Sequence, residues 1–252
     1  IEKYGQVKKN WIVPLIYLGA AGVFSILVFM ENNLSIAAII MFVAFIMVFV
    51  SGMNGKETIA LMGAGGVLGA MGIFSSDYRR ERFMIFTNPW KYANDEGYQL
   101  VHSLYAIGSG GLFGVGLGNS KQKALYMPEP HNDFIFAIIA EELGLVGCII
   151  IMAIFAVLII AGIDVAMKAK DKYGKLLAAG IISVIAVQVI INIAVVTGSM
   201  PVTGVPLPFI SYGGTSLVFN LAAVGVLLNI SRQTKSHKDE IQEKIIKSKM
   251  NV

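Results

Sequence analysis

The sequence predicts an all-α polytopic membrane protein of about six transmembrane helices, with a long extracytoplasmic loop containing short or re-entrant helices. Three observations carry this. Hydrophobic residues make up 56% of the 252 and charged residues 14%, at a mean hydropathy of +0.70, which leaves too little polar surface to cover a soluble globule of this size. Apolar runs of about 20 residues, the length that crosses a hydrocarbon core, recur along the chain. The Gly, Pro and polar residues of the intervening sequence gather in two stretches.

The runs read as spans at Trp11–Met30, Leu34–Gly52, Glu57–Phe74, Phe134–Met167, Leu177–Thr197 and Tyr212–Ile230. An even number returns both termini to one side. Of the 20 basic residues, Lys3, Lys8, Lys9, Lys56, Lys168, Lys170, Lys172, Lys175, Arg232, Lys235, Lys238, Lys244, Lys247 and Lys249 fall in segments on that side, which the positive-inside rule makes cytoplasmic. Residues 1–230 are thus expected to form one membrane domain, and 231–252 a basic cytoplasmic tail drawn to anionic lipid. Cys148 stands alone in an apolar run, so no disulfide framework or thiolate metal site is available. The opening IEKYGQVKKN has neither a basic n-region nor a cleavage site, and reads as an inside loop that follows other helices.

The first outward stretch, Ser75 to His131, is too long for a plain connector. Its aromatic and apolar residues Phe83, Phe86, Trp90, Tyr92, Tyr98, Leu100 and Leu104 set it apart from a disordered loop, and Tyr98–Gly110 is expected to form a short interfacial or re-entrant helix. Irregular backbone at membrane depth must be covered by protein or line a water-filled cavity. GSGGLFGVGLGNSKQK places Gly108, Gly110, Gly111, Gly114, Gly116 and Gly118 ahead of Lys121 and Lys123. It lacks the spacing and preceding strand of a nucleotide-binding loop, so close helix contact through small residues is the expected role. Arg79, Arg80, Arg82, Lys121 and Lys123 are candidate phosphate partners.

Where this stretch meets the fourth span, YMPEPHNDFIFAIIAEELGLVG carries Glu129, His131 and Asp133 in a proline-bounded loop. A carboxylate at the mouth of a membrane helix is a candidate functional group. The positive end of the helix dipole is expected to favour the ionised form of Asp133; a simple helix cap by Asp133 and Asn132 is the competing reading. Glu141 and Glu142 lie about 12–14 Å along that helix at 1.5 Å per residue. Glu141 projects roughly 80° from Asp133 and Glu142 to the far side, so Glu141 either lines the same cavity or bonds another helix.

The second outward stretch, TGSMPVTGVPLPFISYGGTSL, spaces Pro201, Pro206 and Pro208 among glycines, which forbids a continuous helix and favours a rigid loop. Ser211 and Tyr212, with Thr203, Thr215 and Ser216, give it hydrogen-bonding capacity.

Four blocks, RRERFMIFTNPW (79–90), GYQLVHSLYAIGSGGLFGVGLG (97–118), PEPHNDFIFAIIAEELGLVG (128–147) and PVTGVPLPFISYGGTSL (201–217), together resemble the SEDS family of shape, elongation, division and sporulation proteins, the FtsW-, RodA- and SpoVE-like polymerases. The match covers essentially the whole chain but only the later part of the family's ten-helix fold. One departure is Glu31-Asn32-Asn33-Leu34-Ser35, where many relatives have a Gln-Pro-Asp-like turn. The resemblance implies a peptidoglycan glycosyltransferase that polymerises lipid II outside the cytoplasmic membrane with a class B penicillin-binding protein, and it makes Asp133 the essential aspartate of the H-x-D-F motif. It implies membrane lipids as surroundings, no nucleic acid partner and no organic cofactor.

In that reading Asp133 takes the proton from an acceptor sugar hydroxyl as the oxygen attacks the anomeric carbon, help typically worth about 10²–10⁴-fold. Arg79, Arg82, Lys121 and Lys123, or a divalent cation such as Mg²⁺ or Mn²⁺, neutralise the departing pyrophosphate. Glu129, His131, Glu141, Ser211 and Tyr212 complete the candidate substrate-binding set. A lipid-linked precursor flippase and a truncated, non-catalytic partner subunit remain the alternatives. Topology is open to direct test: single cysteines at Lys91 and Lys172 should react with an impermeant thiol reagent from opposite faces of the membrane, and labelling from one face would exclude the six-span reading.

Overall fold

The structure, a computed structural model, describes residues 12–31, 33–129 and 131–233. The N-terminal lysines and the tail beyond Gln233, which the charge pattern assigns to the cytoplasm, lie outside the described residues. All helices but α4 fall at the expected places: α1 (Ile12–Met30), α2 (Leu34–Val50), α3 (Gly55–Phe74), α4 (Asp77–Thr87), α5 (Tyr98–Gly110), α6 (Ile135–Lys168), α7 (Lys172–Val196) and α8 (Gly214–Gln233). α6, α7 and α8 are each long and apolar enough to cross a membrane, while the apolar helices of the first hairpin, Leu15–Met30 and Leu34–Val50, are shorter.

Local chemistry sets the helix ends. Asn33 accepts the Ile36 N–H at 3.2 Å and starts α2, so the departure in the first turn leaves a working cap. Asp171 accepts the Gly174 N–H at 3.1 Å, which begins α7 five residues before the apolar run. Serine bridges α1 to α2, the Ser25 hydroxyl donating to the Ala37 carbonyl at 2.9 Å.

α1 pairs with α2, α2 with α7, and α6 packs along both α5 and α7. The largest buried cluster joins Phe134 and, in α6, Phe136, Ala137, Cys148 and Phe155 to Ile185, Val189, Val195 and Val196 of α7, with Ala106 of α5 and Leu207 of the second irregular segment. Cys148 is thus a packing residue. At the opposite end Val50, Ala166, Ala178, Ala179, Leu227 and Ile230 gather, so both irregular segments share one end of the bundle and the Lys-rich turns share the other.

α6 is 34 residues long, near 50 Å at 1.5 Å per residue, and it breaks at Gly144, whose φ of 68° and ψ of −168° are open essentially to glycine alone. A break at this depth frees backbone groups that lipid cannot satisfy. The glycine-rich segment satisfies them. Val115 and Gly116 donate to the carbonyls of Glu141 and Glu142 at 2.9 and 3.0 Å, and Leu145 and Val146 donate to those of Gly111 and Leu112 at 3.0 and 3.1 Å. So close an approach leaves no room for side chains: a Cβ on Gly144 would sit 2.6 Å from the Leu112 carbonyl carbon. Of the roles open to this segment, close packing against a helix is the one its backbone performs.

Gly144→Ala should therefore destabilise the protein by more than about 2 kcal/mol, from a forbidden φ/ψ combined with backbone overlap. Gly63→Ala, on a part of α3 where a Cβ meets nothing within 4 Å, should leave stability unchanged or raise it slightly. Thermal unfolding in detergent distinguishes the two, and equal melting temperatures would show that the break is not held as described.

Candidate active site around Asp133

Asp133 lies one residue before Phe134, the N-cap of α6. Its backbone neighbourhood is pinned from three directions. The His131 carbonyl accepts from the Tyr212 N–H at 2.9 Å, the Asn132 carbonyl from the Ser211 hydroxyl at 2.8 Å, and the Asp133 carbonyl from the Asn192 amide at 2.8 Å. Asn192 is 1% exposed and donates also to the Val205 carbonyl at 2.8 Å. It ties α7, the Asp133 loop and the second irregular segment into one knot. Removing its amide would orphan two carbonyls, each a loss of about 1–3 kcal/mol when buried.

Ser211 serves the same knot, accepting the Leu207 N–H at 2.8 Å while it donates to Asn132. The His131 and Tyr212 rings meet edge to face at 5.2 Å, with Tyr212 strongly exposed. Glu129 holds a left-handed backbone at φ 50°, uncommon for a residue with a side chain, and accepts from the Asn132 amide at 2.6 Å.

The Asp133 side chain is half-buried against Gly204, where a Cβ would stand 3.4 Å from Oδ2. Burial raises its proton affinity above the ordinary carboxylate range; the positive charge of Arg82 opposes this, and the negative charge of Glu129 adds to it. Burial thus works against the ionised form that the α6 dipole was expected to favour. No side chain caps α6. Neither Asp133 nor Asn132 acts as the cap that the competing reading assigned them.

Arg82 is the cation that reaches this centre, its guanidinium donating to the Val202 carbonyl at 3.1 Å. Arg79 does not. Its guanidinium donates to the Gly72 carbonyl at 3.2 Å and to the Ser75 hydroxyl at 3.0 Å and lies 4.1 Å over the Phe29 ring, fastening the end of α3 to α1.

Glu141 departs most from expectation. It is 2% exposed and turns away from the Asp133 site into the chain before the turn at 122–126, accepting from the Ser120 hydroxyl and from the Lys121 and Gln122 N–H groups, the former at 3.1 Å. This buried carboxylate anchors the turn that carries Lys121 and Lys123. The bond partner is a loop rather than another helix. Lys121 and Lys123 are exposed there, beside a residue about 12 Å along α6 from Asp133 at 1.5 Å per residue. Lys123 Nζ lies 3.9 Å from Glu142.

The structure therefore gathers Asp133, Arg82, Glu129, His131, Ser211 and Tyr212, and sets Arg79, Glu141, Lys121 and Lys123 to other tasks or another place. Asn192 was missed by sequence reasoning, although a lone carboxamide inside the apolar run VIINIAVV is a signal of its own.

Residues 1–236 match the family described as Cell cycle protein, that of FtsW, RodA and SpoVE. The chain belongs to this family. It is 47% identical over 212 residues to stage V sporulation protein E of Bacillus subtilis, covering 83% of this chain and 57% of the relative. It is 42% identical over 235 residues to a Geobacter sulfurreducens protein named probable peptidoglycan glycosyltransferase FtsW, covering 93% and 63%. Among solved structures, a chain of a peptidoglycan synthase complex that coordinates polymerization and crosslinking aligns at TM-score 0.72 and 27% identity over 90% of this chain and 64% of that one. The rod shape determining protein RodA of Thermus thermophilus aligns at TM-score 0.58 and 26% identity, over 90% and 58%. The chain thus spans about three fifths of the length of these relatives.

The charge balance around Asp133 gives a signed prediction. Arg82→Gln should raise the Asp133 pKa further and Glu129→Gln should lower it, each read from the pH dependence of carbodiimide labelling at Asp133. Because the folded-state pKa lies above the unfolded value, this group favours folding most at low pH. That contribution is lost as pH rises through the raised pKa, so Asp133→Asn should be more stable than the parent at neutral pH. A lowered Asp133 pKa in Arg82→Gln, or a raised one in Glu129→Gln, would overturn the assigned electrostatics.

Proposed function

We propose that this chain carries the polymerising centre of a peptidoglycan glycosyltransferase, with Asp133 as general base. The observation that carries the reading is a half-buried carboxylate of raised proton affinity on a backbone fixed by Tyr212, Ser211 and Asn192. A base of raised affinity accepts a proton better than an ordinary carboxylate, and a fixed one loses little entropy on reaction.

In the proposed step the hydroxyl oxygen of an acceptor sugar forms a bond to the anomeric carbon of a lipid II-linked strand. Its proton passes to the Asp133 carboxylate. The bond from the anomeric carbon to the pyrophosphate oxygen breaks, the electron pair leaves with the polyprenyl pyrophosphate, and configuration inverts. Only the acceptor needs proton transfer, so a second carboxylic acid of the kind glycoside hydrolysis uses is not required. Arg82 supplies positive charge at this centre, and Lys121 and Lys123 are offered for the diphosphate once it moves off.

A divalent cation is proposed only as one carried with the diphosphate. Among the described residues no three His, Cys, Asp or Glu side chains converge, whereas Mg²⁺ commonly needs one or two carboxylates plus substrate phosphates. Asp133 and Glu129 are the carboxylates at hand. The orientation we propose sets this end of the bundle outside the cytoplasmic membrane and both termini inside, from the lysine distribution. A class B penicillin-binding protein is the proposed partner, by analogy with the solved synthase complex.

Asp133→Asn keeps volume and polarity but removes the proton acceptor. Glycan-strand synthesis from lipid II in proteoliposomes should fall by about 10²-fold or more, with a melting temperature no lower than the parent's and partner capture retained. Glu141→Gln should cost less. Undiminished synthesis by Asp133→Asn would end the general-base reading.

A further inference from the structure

The end of the bundle opposite Asp133 holds a cleft of about 200 Å³ between the start of α7 and the end of α8. Lys170 of the α6–α7 turn, Tyr173, Asn229 and Gln233 surround its mouth, and Leu177 and Val226 lie at its base. Leu177 is about 6 Å along α7 from Tyr173, and Val226 about 10 Å back along α8 from Gln233, at 1.5 Å per residue. The cleft therefore passes from cationic to apolar in the direction in which a membrane does.

Charge on this turn is unbalanced. Asp164 is taken by Lys168 at 2.7 Å, and Asp171, which also lines the cleft, spends its carboxylate on the Gly174 N–H as the α7 cap. Among the described residues no carboxylate pairs with Lys170, Lys172, Lys175 or Arg232. Because the Gln233 amide donates to the Asn229 oxygen at 2.7 Å, the Asn229 N–H groups and the Tyr173 hydroxyl are left as donors. Cations and donors without an acceptor of their own suit an anion, and the apolar base suits the alkyl end of the same molecule.

We propose that this cleft seats the phosphodiester headgroup of an anionic phospholipid, with the phosphate at Lys170 and the start of the acyl chains on Leu177 and Val226. Basic pockets between membrane helices hold acidic headgroups in this way. The volume lies below the roughly 300 Å³ at which sites for drug-sized ligands begin, which suits a phosphate and its glycerol better than a nucleotide. α8 leaves almost all of its apolar surface uncovered in this chain, so acyl chains have a path to the cleft. A free phosphate would meet the same donors but gain nothing from the base. The site is separate from the lysines beyond Gln233 and independent of the chemistry at Asp133.

Native mass spectrometry of the purified chain, titrated with dioleoylphosphatidylglycerol and separately with dioleoylphosphatidylcholine, reads the site. The anionic lipid should bind about 10-fold tighter or more. Lys170→Gln with Lys172→Gln should weaken it about 5-fold or more, whereas Lys247→Gln with Lys249→Gln, the same charge change in the tail, should alter it by less than about 2-fold. Asn229→Ala, a neutral change that diffuse charge attraction would not feel, should weaken it as well. Lys170, Lys172 and Asn229 are exposed, so the melting temperature should hold in all of these variants. Equal affinity for the two lipids, a loss in the tail pair as large as in the turn pair, or affinity untouched by Asn229→Ala overturns the site. Displacement of the anionic lipid by an equal concentration of glycerol phosphate would overturn the lipid assignment in favour of a soluble phosphate.

Discussion

Backbone pairing at membrane depth is the constraint from which the rest of this structure follows. A helix may break inside an apolar layer only if something supplies hydrogen bonds to the residues on both sides of the break. At Gly144 that supply is another stretch of backbone, residues 111–116, bonded to Glu141 and Glu142 before the break and to Leu145 and Val146 after it. Glycine is required on both partners because the two chains touch main chain to main chain. The segment of α6 before the break is thereby held as a short rigid strut against α5, with Asp133 at its free end.

The same insertion explains an otherwise costly carboxylate. Glu141 sits at the break, and burying an ion there is unfavourable unless several donors meet it. Ser120 and the N–H groups of Lys121 and Gln122 do so, and the Gln122 amide oxygen in turn accepts from Nδ1 of His102 at 2.7 Å, whose ring stacks on Tyr126. Charge, loop and aromatic cluster form one unit. The loop's lysines are held by an anion that no ligand needs to provide.

Much of this was legible in the sequence, and the failures have a common cause. Hydropathy located the six long helices, the Gly and Pro punctuation located both irregular segments, and the excess length of the apolar run after Asp133 left it to tilt, to kink near Gly144 and Gly147 or to project beyond the bilayer, of which the structure shows a kink at Gly144. Side-chain partners across the fold were another matter. Helical geometry fixes the direction in which Glu141 leaves α6, but not that a loop from residues 120–122 lies in that direction. Arg79 and Arg82 stand three residues apart with the same chemistry, and only the path of the chain sends one to Phe29 and the α3 end and the other to Val202. Asn192 carries its signal in its own helix, yet its partners are 59 and 13 residues away.

The position of Asp133 one residue ahead of the α6 N-cap bears directly on its chemistry. Had its side chain capped the helix, accepting N–H bonds would have stabilised the anion and depressed its proton affinity. Such a carboxylate is a poor base. Here the three preceding and local carbonyls, not the carboxylate, take the available donors from Tyr212, Ser211 and Asn192. The side chain is left half-buried with Arg82 and Glu129 acting on it in opposite senses. Rigidity is thus supplied through the backbone and reactivity is kept in the side chain, a division that lets the site be both preorganised and basic.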